Sequence, residues 1–187
     1  MGDFSQNGII SNLHDFGTKT TADIEKELLK FSKERKMELI LPSLYSELKG
    51  DALPNIVKQI GETKYLNHII IGLDKASKSE AIKAWKFFKK LNTPFTILWN
   101  DGPRLKKLHE ELKEKGLAPS ETGKGRNVWY CLGMCIARDE ARSVALHDCD
   151  IKTYDRRMLA KLFYPVVNPF FNFEFCKGYY PRIANGK

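Results

Sequence analysis

The feature that most constrains this chain is a regular alternation of short apolar runs with longer amphipathic stretches. The apolar runs are too short for helices and are rich in β-branched residues, which predicts buried strands. These predicted strands span residues 38–42, 68–73, 95–99 and 143–146, and helical periodicity fills the intervals between them. Such alternation predicts an α/β fold, namely a mainly parallel, Rossmann-like sheet with helices on both faces.

Several boundaries of these elements carry their own signals. Ser77 and Glu80 have the spacing of a capping box, which predicts the start of a helix. Pro42 should end the first strand, and a helix from about Asp155 should stop before Pro165. Phe173–Tyr180 is typical of a fifth strand.

Length and composition indicate one folded domain. The chain has 187 residues, of which 42% are hydrophobic and 29% charged, so we expect a helical leader over 1–36 and one domain over 37–187. No apolar run approaches the roughly 18 residues of a membrane span, and the first 20 residues contain no signal-peptide core. The four cysteines form no CxxC pair or zinc motif, which predicts buried thiols in a reducing cytoplasm.

The net charge of +8 indicates an attraction to polyanions, which include phosphorylated substrates, nucleotides and nucleic acids. The lysines are spread along the chain instead of clustering on one face. We therefore expect no dedicated nucleic-acid surface.

Ligands of open parallel sheets bind outside the carboxyl ends of the strands. This rule selects the residues that follow each predicted strand. They lie at 42–47, 74–77, 100–101 and 147–150.

Asp148-Cys149-Asp150 follows a buried strand, and two carboxylates at this spacing can reach one cation. Hard divalent ions such as Mg²⁺ and Mn²⁺ take carboxylate oxygens and keep positions for phosphate oxygens, so a metal diphosphate is the natural ligand. The structural alternative is that Asp148 caps a turn and Asp150 begins a helix.

Two further segments suit a nucleotide. Gly123-Lys124-Gly125-Arg126 should form a loop before a helix, where glycines, cations and a helix N-terminus suit phosphate. Asp74 ends the second strand, and its carboxylate could accept hydrogen bonds from a ribose hydroxyl or a base. The alternatives are a solvated loop for the first segment and a helix N-cap for Asp74.

Common phosphate and hydrolase motifs are missing from the sequence. Gly123-Lys124 is followed by Gly125 instead of Ser or Thr, so the Walker A loop fails, and Val128 takes the place of the third glycine of the dinucleotide fingerprint. The sequence also contains no G-x-S-x-G elbow and no H-E-x-x-H zinc motif.

The order of these segments resembles the donor-binding half of a GT-A-type glycosyltransferase. A Pro-x-x-Asn-Glu-like turn corresponds to Pro42–Glu47, an Asp-x-Gly-Ser turn to Asp74–Ser77, and a Gly-Lys-Gly loop to Gly123–Gly125; Asp148–Asp150 matches the metal motif. The segment 175–182, Phe-Cys-Lys-Gly-Tyr-Tyr-Pro-Arg, is similar to one found in the glucosyl-3-phosphoglycerate synthase group.

The resemblance implies a cytoplasmic hexosyltransferase that uses UDP- or GDP-glucose or -mannose, depends on Mg²⁺ or Mn²⁺, and has a small acceptor such as 3-phosphoglycerate. Asp148 and Asp150 would hold the metal, and Asp150 would be the catalytic ligand. The implied substrate-binding residues are Pro42, Leu44, Glu47, Asp74, Ser77, Gly123, Lys124, Gly125, Asp148 and Arg182.

Ser46 replaces the family's asparagine, and Lys75-Ala76 replaces its small residues after Asp74. Two other functions stay open: a nucleotidyltransferase of similar fold, and a non-catalytic nucleotide- or nucleic-acid-binding module. The terminal Asn185-Gly186 is a hairpin signal. It leads us to expect a donor-binding part that lacks its acceptor region and forms homodimers through an open sheet edge.

Overall fold

A four-stranded parallel sheet forms the centre of the protein, and it confirms the α/β prediction. The computed structural model describes residues 18–171 and 173–178. The strand order is β3-β2-β1-β4, with β1 at Met37–Leu44, β2 at His68–Asp74, β3 at Phe95–Trp99 and β4 at Ser143–Leu146. The helices are α1 (Thr21–Phe31), α2 (Ala52–Gly61), α3 (Lys78–Phe88), α4 (Pro103–Glu114), α5 (Lys124–Arg138) and α6 (Arg156–Val167). A short 3-10 helix, Tyr45–Lys49, follows β1.

Successive side chains of a strand point to opposite faces of the sheet, so the sheet has two separate cores. The two faces carry different numbers of helices. Leu39 of β1 and Ile71 of β2 belong to a large core that also contains residues of α1, α2, α3 and α6. Ile40 and Ile70 point to the other face, where they pack with two cysteines of α5 in a much smaller core. Helices therefore cover both faces, as predicted.

Pro42 does not end β1, contrary to the prediction. It lies inside the strand, where it pairs with Gly72 of β2, and β1 continues to Leu44. The backbone of alternate residues of β1 faces β4, as shown by the hydrogen bond from His147 N to Ile40 O. The position of Pro42 therefore also faces β4, whose last paired residue is Leu146. The missing N–H has no ladder partner to lose at this point.

Two predictions near the C-terminal end were also wrong. Helix α6 does not stop before Pro165, which lies in its last turn and is buried. The proline removes only one intrahelical hydrogen bond there, and Asn168 N still donates to Tyr164 O at 3.0 Å. Residues 173–178 form no strand, and the rest of the predicted fifth strand, Tyr179 and Tyr180, lies outside the described residues.

Helix α1 ends at Phe31, five residues before the predicted end at Lys36. Its residues Ile24 and Leu28 are fully buried in the large core. The proposed boundary between a leader and the domain at residue 36 stays a prediction. None of the helices in the described residues is long and apolar enough to cross a membrane.

Candidate functional site

The strand order reverses between β1 and β4, whose carboxyl ends lie at the same edge of the sheet. The chain proceeds outward from β1 through β2 to β3 and then returns to the opposite side of β1 to form β4. Open α/β sheets bind ligands where the strand order reverses in this way. The turn Tyr45–Lys49, the segment 147–150 after β4 and the first turn of α5 lie at this edge.

Helix α5 is held in place by a close contact with the sheet. Asn127 Nδ2 donates a hydrogen bond of 2.8 Å to the carbonyl of Gly72. A Cβ atom at Gly72 would lie only 1.7 Å from Asn127 Oδ1, so a side chain at this position would displace the helix. Gly123, the N-cap residue, has a φ of 118°, which favours glycine. These two glycines set where Lys124, the first residue of α5, is located.

Lys124 lies in the helix and not in the flexible loop that the sequence predicted. Its Nζ donates to Asp148 Oδ1, which forms an ion pair with both side chains about half exposed. The helix start and the segment after β4 therefore meet at one point, although 24 residues separate them in the chain.

Asp148 and Asp150 lie on either side of Cys149, whose thiol is buried. Asp148 is half exposed and Asp150 is exposed, whereas the cysteine packs into the core. Neither aspartate begins a helix, since α6 starts at Arg156 with Asp155 as its N-cap. The structural alternative for Asp150 is therefore wrong.

Glu47 adds a third carboxylate. Its Oε2 accepts a hydrogen bond of 2.9 Å from Leu44 N. The pKa of Glu47 is raised, mainly by burial and also by the nearby charge of Asp150. The hydrogen bond from Leu44 N and the charge of Lys124 act in the opposite direction. Glu47 therefore lies within electrostatic reach of Asp150 and Lys124.

We call Glu47, Lys124, Asp148 and Asp150 the carboxylate cluster. Three carboxylates and one ammonium give it a net charge of −2 when all four are ionised. The described residues contain no group of three His, Cys, Asp or Glu arranged to hold a metal by themselves. Ions such as Mg²⁺ and Mn²⁺ commonly take one or two carboxylates and complete their coordination with phosphate and water, so they do not need all three carboxylates of the cluster.

Asp74 and Ser77 have separate surroundings. Asp74 is buried next to Leu44 in the strand register, and its Oδ1 accepts from Lys75 N at 3.1 Å. Ser77 forms the predicted capping box with Glu80 at the start of α3. The helix cap is thus Ser77 and not Asp74, which leaves the second oxygen of Asp74 for another donor. Arg182 lies outside the described residues.

A cavity at the end of β3 combines the strand-end residues 100–101 and Arg126, which the sequence analysis selected, with residues of α4 and α5 that it did not. It has a volume of about 230 Å³. Asn100 lines it, is 7% exposed, and neither atom of its side-chain amide has a hydrogen-bond partner among the described residues. Its position directly after a strand was the only sequence signal. The other lining residues are Asp101, Leu105, Lys106, His109, Glu110, Arg126 and Tyr130.

The fold is that of the GT-A type of nucleotide-sugar transferase. A solved structure of glucosyl-3-phosphoglycerate synthase from Mycobacterium tuberculosis matches it with a TM-score of 0.54 at 16% identity, over 84% of this chain and 47% of that one. That enzyme was crystallised with Mn²⁺, UDP and glucosyl-3-phosphoglycerate. This likeness supports the fold alone.

In sequence, the chain is similar to glucosyl-3-phosphoglycerate synthases, which confirms the resemblance seen in the motifs. The chain is 45% identical to this synthase of Persephonella marina over 99% of its own length, and 38% identical to that of Methanococcoides burtonii over 93%. It spans only 46% and 43% of those relatives, less than half of each. No family model matches the chain.

Proposed function

We propose that this chain is the donor-binding part of a glucosyl-3-phosphoglycerate synthase. It would bind a nucleotide-diphospho-hexose, either UDP- or GDP-linked, with Mg²⁺ or Mn²⁺, and the hexosyl group would pass to a small acceptor such as 3-phosphoglycerate. The names of the two relatives support this assignment. The observation that carries it is the carboxylate cluster, whose negative charge lies at the ligand-binding edge of the sheet.

We assign the residues to parts of the donor by position. Pro42, Leu44, Glu47 and Asp74 would contact the nucleoside, because the ends of β1 and β2 lie side by side. Ser77 would border this region from the start of α3. Arg182 would bind the phosphate of the acceptor, because a guanidinium pairs well with phosphate oxygens.

The start of α5 would bind the diphosphate. Gly123 and Gly125 carry no side chains that would block close approach, and the first N–H groups of a helix suit an anion. Lys124 would exchange its partner Asp148 for a phosphate oxygen when the donor binds, because both anions compete for the same ammonium.

Asp148 and Asp150 would hold the divalent ion, which would stabilise the negative charge of the departing diphosphate. The two positive charges of this ion would bring the net charge of the carboxylate cluster from −2 to zero. We place the protein in the cytoplasm, because Cys131, Cys135 and Cys149 are free thiols buried in the fold.

A thermal-shift experiment with UDP, GDP and their glucose and mannose derivatives, each with and without Mn²⁺, tests the proposal. A ligand at about 100 times its dissociation constant adds about 2.7 kcal/mol to the free energy of unfolding. For a chain of this size this corresponds to roughly 5–10 °C in Tm. Asp150→Ala should abolish the Mn²⁺-dependent shift and leave the Tm of the free protein within about 2 °C.

Glu114→Ala is the matched control, since Glu114 is an exposed carboxylate in the last turn of α4. It should keep the full shift. If no nucleotide-sugar changes the Tm of the unmodified protein, the proposed function is wrong. If Asp150→Ala unfolds while the nucleotide still binds, Asp150 is a structural residue.

A further inference from the structure

Much of the net positive charge of the chain is concentrated on one helix. Residues 75–90, which comprise α3 and its two flanks, contain six lysines and one acidic residue, Glu80. This short segment therefore has a net charge of +5 out of the +8 of the whole chain. All six lysines are exposed: Lys75, Lys78, Lys83, Lys86, Lys89 and Lys90.

Two large apolar side chains lie among these lysines on the surface. Lys78, Ile82, Trp85 and Lys89 follow one another at i, i+4, i+7 and i+11, so they form one stripe along α3, which we call the α3 stripe. Ile82 is 52% exposed and Trp85 is 49% exposed. The ammonium of Lys89 lies 5.2 Å from the centre of the Trp85 ring. The stripe thus has an apolar middle and a positive charge at each end.

The lysines of this segment are not neutralised by other residues. None of the six forms an ion pair with a carboxylate in the part of the chain that the structure describes. The Glu80 carboxylate accepts a hydrogen bond of 2.9 Å from Ser77 N and caps the helix. Helix α4 differs, because its four cations are accompanied by three carboxylates. The charge of α3 is therefore available to an external anion.

We propose that the α3 stripe binds the surface of an anionic lipid membrane, with Ile82 and Trp85 inserted among the headgroups and the lysines paired with lipid phosphates and carboxylates. Helices that lie in a membrane interface combine a lysine-rich face with Trp and aliphatic side chains that enter the headgroup region. Anionic lipids attract each lysine near the surface. The contact is peripheral, and it is independent of the proposed nucleotide-sugar site.

A nucleic acid offers the same negative charge, but its surface fits the stripe less well. Residues 75–90 contain no arginine, which is the side chain that pairs with phosphates and base edges through two parallel hydrogen bonds. Ile82 has no flat ring with which to stack on a base, and it would stay in water beside a phosphate backbone. A layer of lipid headgroups instead takes up both the aliphatic and the indole side chain.

Co-sedimentation with vesicles tests the proposal. The full chain is mixed with vesicles of phosphatidylcholine alone, or of equal parts of phosphatidylcholine and phosphatidylserine. We expect it to bind the anionic vesicles and not the neutral ones. Binding should weaken at about 1 M salt, which screens charges beyond about 3 Å. The fluorescence of Trp85 should shift to shorter wavelength on binding, because its ring leaves water.

Three variants separate the contributions of charge and insertion. Lys78→Gln/Lys86→Gln/Lys89→Gln should bind anionic vesicles about a hundredfold more weakly, because each lysine contributes to the attraction. Ile82→Gln/Trp85→Gln keeps every charge and should bind about tenfold more weakly, because less apolar surface leaves water. Trp85→Phe should bind nearly as well as the unmodified chain, without the fluorescence shift. Glutamine is a good helix former, so all three should keep the Tm of the free protein.

Lys107→Gln/Lys113→Gln/Lys115→Gln is the matched control, since it removes three exposed charges at α4. It should keep its affinity for anionic vesicles. Equal losses in the two triple variants would overturn the inference, and so would unchanged binding of Ile82→Gln/Trp85→Gln. Binding of the unmodified chain to duplex DNA but not to vesicles would identify a nucleic-acid surface instead. Thermal shifts with nucleotide-sugars should be the same in all these variants, so failure of the inference leaves the proposed function standing.

Discussion

The two ends of helix α5 carry charge clusters that differ in almost every physical respect. At its C-terminal end, Arg138 donates to Glu38 and to Glu140, each at 3.1 Å, and Lys36 lies 3.5 Å from Glu140. Two cations therefore balance two carboxylates. At its N-terminal end, the carboxylate cluster has three carboxylates and a single cation, Lys124.

Burial and helix polarity separate the two clusters further. The Glu38 side chain is 1% exposed and Arg138 is 22% exposed, whereas Lys124 and Asp148 are 57% and 45% exposed. A cation is stabilised by the helix dipole at the C-terminal end, where Arg138 lies, and is disfavoured at the N-terminal end, where Lys124 lies. The charges of the cluster around Arg138 therefore balance among the described residues, whereas the carboxylate cluster favours an additional cation.

The largest expected effect is on stability, at the balanced end. Arg138→Met leaves Glu38 as a buried carboxylate without its cation, and breaking such a pair typically costs about 3–5 kcal/mol. Urea unfolding of the variant should show this loss. The double variant Glu38→Gln/Arg138→Met removes both charges and should recover most of the lost stability. A loss below about 1 kcal/mol in the single variant would mean that the two ends of α5 do not differ as argued.

The corresponding change at the other end should affect binding instead of stability. Lys124→Met removes an exposed ion pair, which contributes at most about 1 kcal/mol. Without its competing ammonium, the carboxylate cluster should bind Mn²⁺ alone more tightly. Nucleotide binding should become about tenfold weaker, because a cation that pairs with phosphate is lost. Titration calorimetry of Mn²⁺ and of the nucleotide measures these opposite shifts.

Lys107→Met is the control for the loss of one positive charge. Lys107 is exposed in α4 and pairs only weakly with Glu111, at 3.8 Å. Equal effects of the two lysine variants would indicate a general charge effect, and the contrast between the ends of α5 would then lose its functional meaning.

The sequence predicts the sheet well because its strands are short, apolar and separated by helical periodicity. The bounds of β3 and β4 agree with the structure. The prediction at Pro42 was wrong because a strand tolerates proline where its neighbouring strand has already ended. Where that neighbour ends depends on the length of β4, which the sequence around Pro42 does not reveal. Pro165 misled it because the cost of proline is small in the last turn of a helix.

The candidate site is also partly predictable, where its residues follow from local sequence patterns. Asp148 and Asp150 follow from the rule on strand ends, which uses only the local sequence. The pairing of Lys124 with Asp148 could not be read from the sequence, because it depends on how Asn127 docks against Gly72. The cavity around Asn100 could not be read as a whole from the sequence, because its lining combines the segment after β3 with α4 and α5.

The smallest expected effect is the pH dependence of stability at Glu47. Burial raises the pKa of this carboxyl in the folded protein. The ionised form of Glu47 is thus less favourable in the folded protein than in the unfolded chain. The free energy of unfolding therefore falls as the pH rises through the raised pKa, and Glu47 does not change it below the unfolded pKa. Glu47→Gln can keep an oxygen for Leu44 N while removing the charge. The variant should be more stable at pH 7 by less than about 0.5 kcal/mol, since solvent screens a half-exposed group.

This gain should disappear near pH 3.5, where the carboxyl is protonated in both states. It should also shrink when Mn²⁺ is added at pH 7, because the ion would supply the charge that the cluster needs. Glu140→Gln provides the comparison with the other end of α5, where removing a balanced carboxylate should give no gain at either pH. Thermal unfolding of both variants at the two pH values measures the difference. Removing a carboxylate stabilises the fold only where its charge is not balanced by a cation. An equal gain in stability for Glu140→Gln would therefore show that both ends of α5 carry the same excess of negative charge.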